Sequence, residues 1–241
     1  MYQTENTVLI TGSGKRLGKE LAYLFAEKKW NVILHSFHSF SNTYKIQKEL
    51  EKYKIKTYSI KFNLEETEEI EQGFKKIKDE FIFPNVLVNN AAIYPPKYSV
   101  EDITQDIWDK VINTNLRSHF FTSKEFSKHC PDNSRIINIA SLGAIFIWKN
   151  RLAYNVAKAG LLQLNKALAK ELAPKVSVNA ISPGIIQLDD EASEPLPNLK
   201  DKIPFERYAT AKDIFDAVYF FSTCSNYITG QNIIIDGGFS L

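Results

Sequence analysis

Tyr154 and Lys158 stand four residues apart in a stretch with helical spacing, so their side chains leave one helix face about one turn apart. A phenol with an ordinary pKa of about 10 exchanges protons poorly near neutrality, and a neighbouring ammonium stabilises its phenolate. The spacing alone decides nothing, because Tyr44/Lys48 and Tyr208/Lys212 repeat it. Context separates the pair at 154. It alone follows an apolar run ending in a hydroxyl, Ile136-Ile137-Asn138-Ile139-Ala140-Ser141, and it alone opens a helix rich in small residues. Ser141 can hold a substrate oxygen against the phenol, while Lys158 supplies positive field and a hydrogen bond to a cofactor ribose. A proton from Tyr154 with a hydride from a nicotinamide reduces a C=O or C=N bond, and that is the chemistry expected of the three residues.

A second cluster, Thr11-Gly12-Ser13-Gly14-Lys15-Arg16-Leu17-Gly18, follows the apolar run 8–10 and leads into an amphipathic helix. Glycines at a strand-to-helix turn let the backbone approach a pyrophosphate, which is stabilised by free N–H groups and the positive end of the helix dipole. The second apolar run ends at Leu34-His35-Ser36-Phe37-His38-Ser39, with no Asp or Glu to bond an adenosine 2′-hydroxyl. NADP(H) is therefore favoured, with NAD(H) as the other cofactor of the same chemistry. Lys15 and Arg16 are the cations expected to pair with a 2′-phosphate.

Elements must bring these residues together. Runs rich in Val, Ile and Leu recur at 8–10, 32–34, 57–60, 86–88, 136–139, 176–181 and 233–235. Helical spacing fills most intervals, as in Leu17, Leu21, Leu24 and Phe25, and again in Ile70, Phe74 and Ile77. The alternation specifies an α/β chain with a mostly parallel sheet and helices on both faces. Ligands of such sheets bind beyond the carboxyl ends of the strands, where both clusters fall. The segment 187–204 breaks the rhythm with prolines and acids and is expected to meet substrate.

With 241 residues, 44% of them hydrophobic, one domain over 1–241 is expected. Thirty basic and 28 acidic side chains leave +2, too little to mark a nucleic-acid or membrane surface. Cys130 and Cys224 have no metal-ligand spacing, so no metal is expected. The polar start and the absence of a long apolar run point to a cytoplasmic chain. His119 and His129 read as surface or interface residues.

In order along the chain, the motifs resemble those of the short-chain dehydrogenases/reductases. They are the glycine loop, Asn89-Asn90-Ala91, Asn115, Ser141, Tyr154 with Lys158, and Pro183-Gly184. The resemblance implies a Rossmann fold with seven parallel strands and a small-molecule substrate, in a homo-oligomer, dimeric or tetrameric. It implies that Tyr154 is the acid/base, that Lys158 lowers its pKa, that Ser141 orients substrate and that Asn115 anchors a proton-relay water. Cofactor contacts carry over to Gly12, Lys15, Arg16, Leu17, Gly18, His35, His38, Ser39, Asn63, Leu64, Asn90, Ala91, Pro183, Gly184 and Ile186.

Arg16 stands where the family expects glycine, a form similar to the pteridine-reductase branch, as are His35-Ser36-Phe37-His38-Ser39 and Leu188-Asp189-Asp190. Tyr94, Trp148 and Leu188 are the expected substrate contacts. Ser141, where that branch carries Asp, is what ordinary carbonyl reductases use. Three readings stay open: a reductase of a carbonyl or pteridine-like substrate, a 3-oxoacyl-carrier-protein or generic ketone reductase, and a non-catalytic NADP(H)-binding regulator.

Overall fold

The seven apolar runs become seven strands: β1 (Thr7–Ile10), β2 (Asn31–His35), β3 (Thr57–Ile60), β4 (Val86–Asn89), β5 (Ser134–Ile139), β6 (Val176–Pro183) and β7 (Asn232–Ile235). They form one sheet in the order β3-β2-β1-β4-β5-β6-β7, every neighbouring pair parallel, in a computed structural model that describes residues 6–188 and 198–241. This is the Rossmann arrangement. The strand order reverses between β1 and β4, and the crevice beyond their carboxyl ends is where such sheets take ligands.

Side chains alternate across each strand, so one short strand feeds two cores. Val8 and Ile10 of β1 pack on α1 (Arg16–Glu27), α2 (Phe40–Leu50) and α7 (Ala211–Thr223) through Leu21, Phe25, Ile46, Leu50, Phe215 and Val218. Leu9, between them, faces the opposite core. There Ile70, Phe74 and Ile77 of α3 (Thr67–Glu80) meet Phe126 of α5 (Ser118–His129) and Leu168 of α6 (Leu152–Leu172). Strands buried on both faces read as continuous apolar runs, which is why the sequence pattern located them.

Register brings the strand ends level. Ile10 lies opposite both Leu34 and Val88, and Asn89 lies opposite Asn138, so the loops after β1, β2, β4 and β5 leave one edge of the sheet. A buried polar chain braces that edge. Thr122 donates to Asn89 Oδ1 at 2.8 Å, Asn89 Nδ2 donates to Asn138 Oδ1 at 3.0 Å, and Asn138 Nδ2 donates to Asn165 Oδ1 at 3.1 Å. Among buried groups, such mutual satisfaction fixes one arrangement of the four elements α5, β4, β5 and α6.

Between α4 (Gln105–Ile112) and α5 the helix widens into a π-helical segment, Asn113–Arg117, of the kind often found at functional sites. His119 follows on α5 and is 1% exposed, which corrects its reading as a surface residue. The buried face of this helix is polar, with Ser118, Thr122 and Ser123, and His119 Nδ1 hydrogen-bonds Ser118 Oγ at 3.2 Å. Burial and the Lys158 charge push the imidazole pKa down to about 3, so the ring is neutral. Of the segment 187–204, residues 189–197, including Asp189 and Asp190, lie outside the described residues.

Candidate active site

Thr11 ties the first loop to the switch point. Its Oγ1 accepts the N–H groups of Asn90 and Ala91, each at 3.0 Å, and Asn90 Nδ2 donates to the Thr11 carbonyl at 2.9 Å. Gly12 turns the chain at φ +66°, a conformation side chains rarely adopt. A Cβ at Gly18 would collide with the Gly12 carbonyl and the Asn90 amide, so glycine there lets α1 start against the loop.

The start of α1 is uncapped by any side chain, and its first turn holds no acid. Its free N–H groups and dipole therefore face outward, ready for an anion. Arg16 takes φ +51°, the left-handed region, which costs a side-chain-bearing residue roughly 1–3 kcal/mol. Lys15 and Arg16 line one groove with Gly14, Lys19, Glu20, Asn42 and Leu188, three cations against one acid. This places Leu188 beside the glycine loop. Asn42 was not anticipated, because nothing in its surroundings marks a helix-surface asparagine as a ligand.

His35 is a brace. Its Nδ1 accepts the Gly12 N–H at 3.3 Å and its Nε2–H donates to the Phe62 carbonyl at 3.0 Å, in a ring buried at the end of β2. Burial pushes its pKa down to about 4, and with both nitrogens engaged it has none for a cofactor, contrary to expectation. Leu17 and Leu64 are buried in the two cores, leaving only main-chain groups for a ligand. Asn63 Oδ1 accepts the Glu65 N–H at 3.1 Å. Ser39 pairs with Ser36 through their hydroxyls at 2.9 Å, and His38 is exposed beside them. After Pro183, the Gly184 N–H donates to the Ile235 carbonyl at 2.8 Å, and Ile186 bridges to Ala209.

Ser141, Tyr154 and Lys158 converge at the carboxyl end of β5. Lys158 is 1% exposed and its Nζ donates to the Ile139 carbonyl at 2.8 Å, 5.9 Å from the centre of the Tyr154 ring. Burial pushes its pKa down to about 7. Burial pushes Tyr154 up to about 12, while a hydrogen bond from Ser141 pulls the other way. Ser141 Oγ also accepts the Gly143 N–H at 3.0 Å. Arg151 and Arg16 pull in the same direction as Ser141.

Asn115 is fully buried in the π-helical segment. Its Oδ1 accepts the Ile93 N–H and its Nδ2 donates to the Ile93 carbonyl, both at 2.8 Å. Its side chain is thus a clamp on the loop after β4. The clamp positions Tyr94, which meets Tyr154 edge-on at 4.9 Å and 90°. Trp148 packs instead with Phe146 and Phe239, at 5.1 and 5.7 Å. Among the described residues no group of His, Cys, Asp or Glu could hold a metal, and no helix is long and apolar enough to cross a membrane.

The family profile described as Enoyl-(Acyl carrier protein) reductase matches residues 12–240. The chain belongs to the short-chain dehydrogenase/reductase family. It is an enzyme of that family by fold and motif order alike. A 3-oxoacyl-[acyl-carrier-protein] reductase of Buchnera aphidicola is 34% identical over 246 residues, covering 99% of this chain and 98% of the relative. One of Staphylococcus epidermidis is 30% identical over 240 residues, covering 96% and 98%. A short-chain dehydrogenase/reductase of Serratia marcescens superposes with a TM-score of 0.90 at 26% identity, covering 98% of each chain.

Proposed function

We propose that this chain is an NADPH-dependent carbonyl reductase whose substrate class is a 3-oxoacyl thioester. The convergence of Ser141, Tyr154 and Lys158 beside the uncapped start of α1 carries the reading. The names of the relatives at 30–34% identity support the substrate class. Lys15 and Arg16 in one groove, with no acid at the end of β2, support NADP(H) over NAD(H).

Bound at the glycine loop, the cofactor supplies a hydride. Ser141 hydrogen-bonds the substrate oxygen, and Tyr154 passes its hydroxyl proton to that oxygen, leaving an alcohol and a phenolate that solvent reprotonates. Lys158, with one donor on Ile139, has donors left for a ribose. The same reading makes the protein a cytoplasmic homo-oligomer, dimeric or tetrameric, with no nucleic-acid or membrane partner.

A pteridine-like substrate is the second reading, favoured by the strained Arg16 and the half-exposed Tyr94 ring. NADPH oxidation across 3-oxoacyl thioesters, simple ketones and dihydropterins separates the two. Thioester turnover at least tenfold above pterin turnover is expected; the reverse order replaces the first reading by the second. Tight NADPH binding without turnover on any substrate identifies a regulator.

Arg16→Ala tests cofactor choice. Losing a charge-assisted contact of about 1–3 kcal/mol weakens NADPH binding roughly 5- to 150-fold and leaves NADH binding nearly unchanged. Fluorescence titration with both cofactors checks this, and equal losses would show that Arg16 does not read the phosphate.

A further inference from the structure

We propose that His119 is a positioning residue for Lys158, its Nε2 joined to the ammonium by one internal water molecule that both side chains share with the Asn89 carbonyl. The proposal rests on the reading of Lys158 as the residue that holds the cofactor ribose.

The tautomer of His119 follows from its neighbour. The Ser118 hydroxyl directs its hydrogen to the Thr114 carbonyl at 2.6 Å, so towards the imidazole Nδ1, 3.2 Å away, it accepts. Nδ1 therefore carries the ring proton, and Nε2 is a bare lone pair. That atom is enclosed and meets no donor among the described residues. The Asn89 carbonyl lies beside the ring, yet no hydrogen bond joins it to Nε2. Two facing acceptors call for a donor between them, and protein interiors meet that need with an ordered water.

Lys158 stands at the same end of the same polar layer. Asn89 ends β4 opposite Asn138 on β5, and neighbouring strands lie about 4.8 Å apart. From α5, Ser123 Oγ accepts Asn89 Nδ2 at 3.1 Å and donates to the His119 carbonyl at 2.6 Å, which puts His119 one turn nearer the carboxyl ends of the strands. From α6, Asn165 accepts Asn138 Nδ2, and Lys158, two turns nearer those ends on the same helix face, donates to Ile139. The asparagine chain is thus a floor, over which His119 and Lys158 stand from two helices that cover one face of the sheet. The Lys158 charge is accordingly felt at the imidazole.

An ammonium has three donors. Ile139 takes one, the ribose is reached by another, and the third is left for the layer that His119 closes. Donating to Nε2 and to the Asn89 carbonyl and accepting from Nζ, the water makes three hydrogen bonds, the usual complement of a buried one. Held from both sides, the ammonium keeps its charge and its direction towards the ribose. His119 acts through its lone pair and transfers no proton.

The test is two-bond 1H–15N spectroscopy of the chain labelled with 15N-histidine and saturated with NADP+ at pH 8, with His119 assigned through H119Q. His119 is expected as the Nδ1–H tautomer, with Nε2 at the shift of a hydrogen-bonded acceptor and a nuclear Overhauser contact from its Hε1 to water. In K158M the Nε2 signal is expected to move. A ring proton on Nε2, no contact with water, or an Nε2 signal unmoved in K158M overturns the proposal. In turnover, H119L is expected to lower kcat about tenfold and H119Q, whose amide oxygen can accept in place of Nε2, to stay within about twofold of wild type. Equal losses in the two variants mark a packing role and overturn the proposal, as does an undiminished kcat in H119L. The wild-type and K158M spectra carry the test if H119L does not fold. Undiminished turnover in K158M would instead overturn the reading of Lys158, and because the His119 spectrum is recorded without turnover the two failures are distinguishable.

Discussion

Tyr154→Phe is expected to lower kcat by about a thousandfold while leaving NADPH affinity within about twofold. The variant removes one oxygen from a half-buried ring and keeps the edge-on contact with Tyr94, so the site retains its shape. What disappears is the proton donor beside Ser141. Without it the developing alkoxide must take its proton from water, and the loss falls on kcat because the missing interaction forms only as the oxygen gains charge. Steady-state turnover with a 3-oxoacyl thioester, together with a fluorescence titration of NADPH, measures both quantities. Undiminished kcat would remove Tyr154 from the chemistry.

Lys158→Met is expected to move stability and activity in opposite directions. Lys158 is buried with its pKa pushed down to about 7, against about 10.5 in an unfolded chain. Between those values the unfolded chain holds a proton that the folded chain lacks, so stability rises with pH from about 7 to 10.5. At and below pH 7 the fold bears the full cost of the buried charge. Methionine removes that cost and loses the hydrogen bond to Ile139, leaving a net gain of about 1–3 kcal/mol at pH 7 that vanishes toward pH 10. Urea unfolding of the apoprotein at several pH values reads the gain. Turnover falls by about a hundredfold or more, because the donors meant for the ribose are gone. Equal stability of the two chains at pH 7 would show that Lys158 is not burdened by burial.

Much of this architecture is legible before folding is considered. A parallel sheet covered on both faces needs uninterrupted apolar strands, and all seven were readable from Val, Ile and Leu runs, with ends extended by one or two residues. The glycine loop and the Ser141, Tyr154 and Lys158 trio were readable because their order along the chain fixes which strand ends they follow.

What could not be read depends on contacts between distant segments. His35 looks like a ligand because it ends β2, but only the folded chain shows Gly12 and Phe62 occupying its two nitrogens. His119 looks like a surface residue because α5 lacks a clean apolar stripe. The helix is buried against a polar layer, so its hidden face carries Ser118, Thr122 and Ser123. Leu188 belongs to a segment without periodicity, and its neighbours in the groove lie about 170 residues away in sequence. Arg151 went unread, because its stacking 4.0 Å from the centre of the Tyr94 ring joins the loop before α6 to the loop after β4. Its partner Tyr94 was read as a substrate platform, and the stack joining them exists only in three dimensions.

The central claim is that hydride and proton reach one carbonyl from two directions, the cofactor and Tyr154. Turnover of a 3-oxoacyl thioester with NADPH deuterated at the transferring position, in ordinary water, tests it most directly by mass spectrometry of the alcohol. One deuterium on the former carbonyl carbon, formed by the wild-type chain and not by Y154F, is the predicted result. An unlabelled alcohol, or equal labelled product from both chains, would contradict it.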